Sequence, residues 1–210
     1  MNPTNLPANG NVSHHAIPKT RRLIEDALER AVEKTLDALL IDWRADHNTK
    51  GTPKRIARMY SREVFAGRFL RRPRMTSFPN AKNLDEVYVV GPVTVRSTCA
   101  HHFAPIIGQA WIGVLPGKKI IGLSKFARLT EWVMARPQIQ EEATVMLADE
   151  LEAVLKPIGL GVVVRAQHLC MTWRGVRDKD ALFTTSVMRG AFREDQSARH
   201  ELLSLIGGAK

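Results

Sequence analysis

The chain has 210 residues, 44% of them hydrophobic, enough to build one substantial core or a compact pair of units. Lysine and arginine outnumber acidic residues 31 to 21, and the resulting charge of +10 suits an anionic partner: nucleic acid, a membrane surface or a phosphorylated small molecule. No apolar run is long enough to span a bilayer, the polar N-terminal stretch lacks a signal core, and two cysteines make no disulfide framework, so a cytoplasmic protein without a membrane partner is expected.

In chain order, residues 1–18 read as a disordered tail and 19–85 as a helical region. From Thr20, the residues Ile24, Leu28, Val32, Leu36, Leu39 and Trp43 fall at helical spacing, predicting a helix that ends near Asp46. Thr52-Pro53 reads as an N-cap followed by proline at the first helical position, opening a second helix to about Phe65. Pro73 and Pro79 break the segment from Arg71 to Asn83. The period then changes. Glu86 to Arg96, Ile106 to Leu115, Leu160 to Trp173 and Ala181 to Phe192 read as strands, with helices over Ser124 to Met134, Pro137 to Leu155 and Gln196 to Ile206. The pattern is α+β.

The basic residues are scattered along the chain, and aromatics amount to only 6%. A nucleic-acid surface interleaves exposed aromatics with its cations, so no nucleic-acid partner is expected.

Chemistry concentrates at the two cysteines. Cys99 lies in Ser97-Thr98-Cys99-Ala100-His101-His102, and Cys170 in His168-Leu169-Cys170. Cys99, His102 and Cys170 supply three positions of a tetrahedral zinc site and leave the fourth open, an arrangement used for catalysis rather than structure. His101 and His168 stand one or two residues from those ligands, where a proton shuttle is useful. The alternatives are two inert buried thiols and a histidine packed in the core. On a strand, His168 and Cys170 would project from one face.

These blocks, with Gly122-Leu123-Ser124-Lys125 and Arg128, Arg136-Pro137-Gln138-Ile139-Gln140-Glu141, and Arg174-Gly175-Val176-Arg177, resemble the signature blocks of GTP cyclohydrolase I. Gly51-Thr52-Pro53-Lys54-Arg55-Ile56-Ala57 and Phe192-Arg193-Glu194-Asp195 are similar to flanking parts of that family, and all occur in family order from about His47 to Ile206. The resemblance implies a tunnelling fold over residues 86–210: a four-stranded antiparallel sheet with helices packed on one side. It implies a ring-forming protein, a homodecamer of two pentamers with active sites between subunits. The implied reaction opens the guanine imidazole ring of GTP by hydrolysis, releases C8 as formate and yields 7,8-dihydroneopterin triphosphate, the first step towards tetrahydrofolate or other pterins.

By the same resemblance, Cys99, His102 and Cys170 hold Zn2+, His168 donates a proton to the purine, and His101 is the second active-site histidine. Glu141 anchors the guanine with Gln140 beside it, while Arg55, Lys125, Arg128 and Arg174 surround the triphosphate and Ser124 lies near the ribose and phosphates. Lys125 and Arg128 also fall one turn apart at the start of a predicted helix, where free N–H groups attract anions. For Glu141, first in line at another helix start, favourable interaction with the dipole is the competing role. The chain departs from the family at Ala100, where glutamate is common, and carries a bulky Trp173 before Arg174. Two rival readings are a related tunnelling-fold enzyme acting on another purine or pterin, and a non-enzymatic zinc-stabilised anion-binding module.

Overall fold

The apolar stripe Ile24, Leu28, Val32 and Leu36 winds into helix α1 (Pro18–Ala38) in a computed structural model that describes residues 7–13 and 18–208. The helix stops eight residues before the sequence pattern does, which runs on to Asp46. Leu40 takes φ 57°, the Ile41 N–H donates to the Leu36 carbonyl (3.0 Å) and the Leu40 N–H to that of Asp37 (3.1 Å), a Schellman cap built without glycine. Asp37 secures the reversal by accepting from the Trp43 indole (2.9 Å) and the Arg44 guanidinium (2.8 Å). Trp43 therefore sits at helical spacing in sequence but in a returning loop in space.

Two compact units follow from the contacts, Met1–Arg71 and Arg72–Lys210. In the first, α2 spans Thr52–Met59 with Gly51 at the N-cap, so the Thr52 side chain caps nothing; Pro53 does lie at the start of the helix. A π-helical turn at Tyr60–Val64 then leads into α3 (Ala66–Phe69). Glu25 of α1 ties the turn down by accepting from Ser61 (3.0 Å) and from Nε and Nη2 of Arg62 (2.7 Å each), and that guanidinium holds the Glu25 carboxyl below its usual range. Of the tail expected to be disordered, residues 1–6 and 14–17 lie outside the described residues. Residues 7–13 lie against α3: Arg68 donates to the carbonyls of Pro7, Ala8 and Gly10, and buried Val12 donates its N–H to the Arg68 carbonyl.

The second unit runs β1 (Ser77–Pro79), β2 (Tyr88–Cys99), β3 (Pro105–Leu115), β4 (Lys119–Ile121), α4 (Leu123–Met134), β5 (Pro137–Gln138), α5 (Gln140–Leu155), β6 (Gly159–His168), α6 (Leu169–Thr172), β7 (Phe183–Gly190), α7 (Ala191–Glu194) and α8 (Gln196–Gly208). Strands β1 and β4 form a small pair of their own. The main sheet has the order β5-β2-β3-β6-β7; β2, β3, β6 and β7 pair antiparallel, and the two-residue β5 joins β2 in parallel.

Both faces of the middle strands are apolar, and this decides where the helices go. Ala110, Ile112, Val114, Val162 and Val164 face α4 and α5, burying Phe126, Leu129, Leu147 and Leu151 in the main core. The alternate residues Trp111 and Val163 pack with Phe192, Leu202 and Ile206 on the opposite face. Helices thus cover both sides of the sheet, not one as the sequence reading had it, because a strand with apolar residues on both faces must be covered twice. Among the described residues, no helix is long and apolar enough to cross a membrane.

Strand β6 ends at His168, where the sequence pattern continued to Trp173. The reason is its partner. His168 pairs with Ile106, and beyond it β3 has only Pro105, which carries no N–H for a ladder. The chain turns into α6 instead, so Cys170 lies on a helical turn and does not share a strand face with His168.

Gly108 sets how closely β3 and β6 approach, since a Cβ there would lie 2.1 Å from the Arg165 carbonyl oxygen and 2.5 Å from the Ala166 Cα. Gly108→Ala should therefore cost ~1–3 kcal/mol, the usual range for overpacking, read as a lowered denaturation midpoint at fixed protein concentration. Gly207→Ala, with nothing within 4 Å, is the control and should leave the midpoint nearly unchanged.

Candidate active site

The turn between β2 and β3 folds the Cys-x-x-His segment onto itself. Cys99 donates its N–H to the Ala104 carbonyl and accepts at its own carbonyl from the Phe103 N–H, both at 2.9 Å, with Phe103 at φ 51° closing the turn. One helical turn separates Cys99 from His102, which brings the thiol and the imidazole to the same side. Below the turn, β5 braces the strand end: Cys99 pairs with Gln138, and the Ala100 N–H donates to the Gln138 carbonyl (3.2 Å). The buried Gln138 amide donates to Ser97 Oγ (3.2 Å) and the Val133 (2.8 Å) and Met134 (3.2 Å) carbonyls, fastening the end of α4 to β2. Ala100, where a glutamate would be common in the resembled family, contributes only its backbone to this brace.

Cys170 reaches the same place from the end of β6. Its side chain packs on the small buried cluster of Cys99, Ile106 and Ala166. The donor atoms of Cys99, His102 and Cys170 all lie within 4.8 Å of one another. A tetrahedral ion with ligand bonds of ~2.0–2.3 Å needs its donors roughly 3.3–3.8 Å apart, so a small contraction closes the group around zinc, and two thiolates with one imidazole are a zinc donor set. Cys99 is 5% exposed while His102 is exposed, so the group is buried on its sulfur side and open on its nitrogen side. Burial, followed by the neighbouring Cys99 thiol, pushes the Cys170 thiol up from its ordinary value, with the Arg174 guanidinium acting the other way. A cation settling between the two sulfurs reverses that balance by favouring both thiolates.

The other expected site residues fall in three places. His101 is exposed, its ring centroid 6.3 Å from that of His102, and Arg174 Nη1 lies 3.1 Å from His102 Nε2. His168 is half-buried, edge-on to the Phe183 ring at 5.5 Å, and its Nε2 lies 2.9 Å from Gln140 Oε1. Burial holds the His168 pKa below the usual imidazole value, partly offset by the carboxylate of Glu141, which is exposed in the first turn of α5.

Gln140 itself is only 3% exposed, and its amide points inward, donating to Thr185 Oγ1 (3.0 Å) and the Val164 and Phe183 carbonyls (3.2 Å each). Ser124 and Arg128 are exposed on the first turns of α4, and Lys125 Nζ donates to the Arg74 carbonyl (3.1 Å). Arg55 is exposed on α2 in the other unit. Trp173 is 77% exposed, and nothing in the structure explains its bulk.

Sequence reasoning missed Thr144 and Thr185, which complete the surroundings of Gln140. Thr144 lies one helical turn beyond Gln140, a spacing visible in the sequence. Nothing in the sequence points to Thr185, which arrives through the β6–β7 pairing.

If the three donors form one centre, Cys99→Ala and Cys170→Ala will each lose bound metal, whereas His101→Ala will keep it. Elemental analysis checks this, as does the thiolate-to-metal absorbance after cobalt loading; full metal content in Cys170→Ala would dissolve the centre.

Comparison with known proteins gives a concordant picture. The family model for GTP cyclohydrolase I matches residues 28–207. GTP cyclohydrolase 1 of Rhodopirellula baltica is 42% identical over 182 residues, covering 87% of this chain and 79% of that protein. That of Halalkalibacterium halodurans is 42% identical over 186 residues, covering 87% of this chain and 97% of its own. Among solved structures, the apo form of an archaeosine synthase QueF-like protein superposes with a TM-score of 0.38 at 12% identity, over 57% of this chain and 97% of that one, too loosely to bear on the fold.

Proposed function

Because the chain belongs to the GTP cyclohydrolase I family, we propose that Cys99, His102 and Cys170 hold a catalytic zinc ion and that His101, His168, Glu141 and the basic residues around them work on GTP bound beside it. The chain is a GTP cyclohydrolase: it opens the guanine imidazole ring of GTP hydrolytically, releases C8 as formate, and closes the rearranged product to 7,8-dihydroneopterin triphosphate at the head of pterin and tetrahydrofolate synthesis. The observation that carries the site assignment is the convergence of two thiols and one imidazole within 4.8 Å, with His168 two residues from one of them.

When bound, zinc with three protein ligands supplies an acidified water at about neutral pH and polarises an adjacent oxygen or nitrogen. The protein's own groups do the rest. His168 holds the proton the purine ring must receive, in a half-buried position where burial favours release of that proton. His101, on the exposed turn beside His102, exchanges protons with solvent. Glu141 presents its carboxylate to the N–H groups of guanine, a charge-assisted pairing that orients the base. Lys125, Arg128 and Arg174 bind the triphosphate, with the Ser124 hydroxyl beside it; the guanidinium forks suit paired phosphate oxygens.

Arg55 completes the cationic set, some of which a neighbouring copy of the chain supplies in a decamer of two pentameric rings, the assembly of a tunnelling fold. Phe103, Trp173, Val176 and Leu182 are exposed apolar side chains on the segments that carry or flank site residues, which supports burial of those segments by a second copy. Such an enzyme works in the cytoplasm, where GTP is found.

Incubating the metal-analysed protein with GTP should produce formate and pterin absorbance; their absence would end this reading. His168→Ala should keep its metal and lose roughly 10²–10⁴-fold in turnover, the usual value of general-acid help. Arg128→Ala should raise the KM for GTP roughly 10–100-fold, the loss of one charged hydrogen bond, while leaving zinc content unchanged. The same substitution should matter far less with guanosine, which has no phosphates to lose.

A further inference from the structure

Around Gln140 the direction of every hydrogen bond can be worked out from the number of protons available. Thr144 Oγ1 lies 2.7 Å from the Gln140 backbone carbonyl, which can only accept, so the one hydroxyl proton of Thr144 goes there. Thr144 Oγ1 also lies 2.7 Å from Thr185 Oγ1; with its own proton spent, it accepts, and Thr185 donates. Thr185 Oγ1 must then accept from the third group in reach, Gln140 Nε2 at 3.0 Å. The carbonyls of Val164 and Phe183, each 3.2 Å from the same nitrogen, independently demand a donor, and the two amide hydrogens are shared among these three acceptors. The Gln140 amide therefore has one orientation, and its oxygen faces His168 Nε2 at 2.9 Å as an acceptor.

We propose that Gln140 is a positioning residue that locks His168 in its Nε2–H tautomer, so that the proton His168 gives to substrate leaves from Nδ1. This rests on the assignment of His168 as the proton donor above. An amide oxygen cannot donate, so the imidazole must keep a hydrogen on Nε2 before, during and after transfer. In the acid form both nitrogens carry hydrogen. On transfer the Nδ1–H bond breaks, a bond forms from that proton to the purine, and the imidazolium becomes the neutral Nε2–H tautomer with its bond to Gln140 intact.

The Phe183 ring, edge-on at 5.5 Å, restrains the ring plane, and the two threonines hold the amide. A carboxylate in place of Gln140 would hold the same tautomer but would face two carbonyl oxygens. The neutral amide satisfies them with its N–H groups while its oxygen accepts from His168.

The test begins with unmutated protein labelled with 15N in histidine, at a pH about two units above the ordinary imidazole value of ~6.5. The His168 signals, assigned by their loss in His168→Ala, should show hydrogen on Nε2 and a bare Nδ1. Hydrogen on Nδ1 would overturn the proposal. Gln140→Met, which keeps the length of the side chain but not its amide, should give a mixture of tautomers and a kcat reduced roughly 10–100-fold, as when the outer partner of a working histidine is removed. KM for GTP and zinc content should be nearly unchanged. A raised KM with unchanged kcat would make Gln140 a substrate contact and sink the positioning role. Should Gln140→Met fail to fold, the tautomer read in the unmutated protein decides alone. Should the protein not turn over GTP at all, the functional assignment fails while the tautomer measurement still stands or falls independently.

Discussion

The pairing of β3 with β6 is the constraint on which the site depends. Its register runs without interruption from Leu115 opposite Gly159 to Ile106 opposite His168. Because the ladder stops where Pro105 leaves no N–H to offer, the chain after His168 is released into a helical turn beside the β2–β3 hairpin. Cys170 meets Cys99 and His102 as a consequence of where that ladder ends. Gly108 lets the two strands come close enough for this, and a shift of one residue would turn His168 to the other face of the sheet.

On either side of this ladder, glutamines buried in the fold carry out precise local work. Gln138 fastens β2 to the end of α4 just before Cys99, and Gln140 links β6, β7 and α5 just behind His168. Each is 2–3% exposed and surrounded by backbone carbonyls, so removing either would strand polar groups in the interior. Gln140 has partners at both ends of its amide, whereas Gln138 is held through its nitrogen alone and its buried Oε1 has no partner among the described residues. They brace the backbone on either side of the partly exposed group formed by Cys99, His102 and Cys170.

The excess positive charge is organised differently. Arg62, Arg44 and Arg68 are engaged within the first unit by Glu25, Asp37 and backbone carbonyls, so they hold the fold together. Arg128 and Arg55 are exposed, and Arg174 sits against a metal-ligand candidate. The net charge by itself therefore says little; what matters is which cations remain available to an anion once the structural ones are spent.

The sequence by itself determined the α+β class and the order of the main elements, because periodicity is a local property of the chain, and the histidines beside its two cysteines marked Cys99, His102 and Cys170 as candidate donors, which the fold then brings together. The same locality explains what it could not determine. The end of α1 hinged on Leu40 adopting a left-handed conformation and on Asp37 catching Trp43 and Arg44. The end of β6 hinged on its partner strand running out. The placement of α8 on the second face hinged on Leu202 meeting Trp111 and Val163 across the sheet. For Gln140, the neighbouring glutamate suggested a residue facing substrate, yet Thr185, distant in sequence and brought in by β7, turned its amide inward. Each of these was decided by a group remote in sequence, and only the tertiary structure brings such groups within bonding distance.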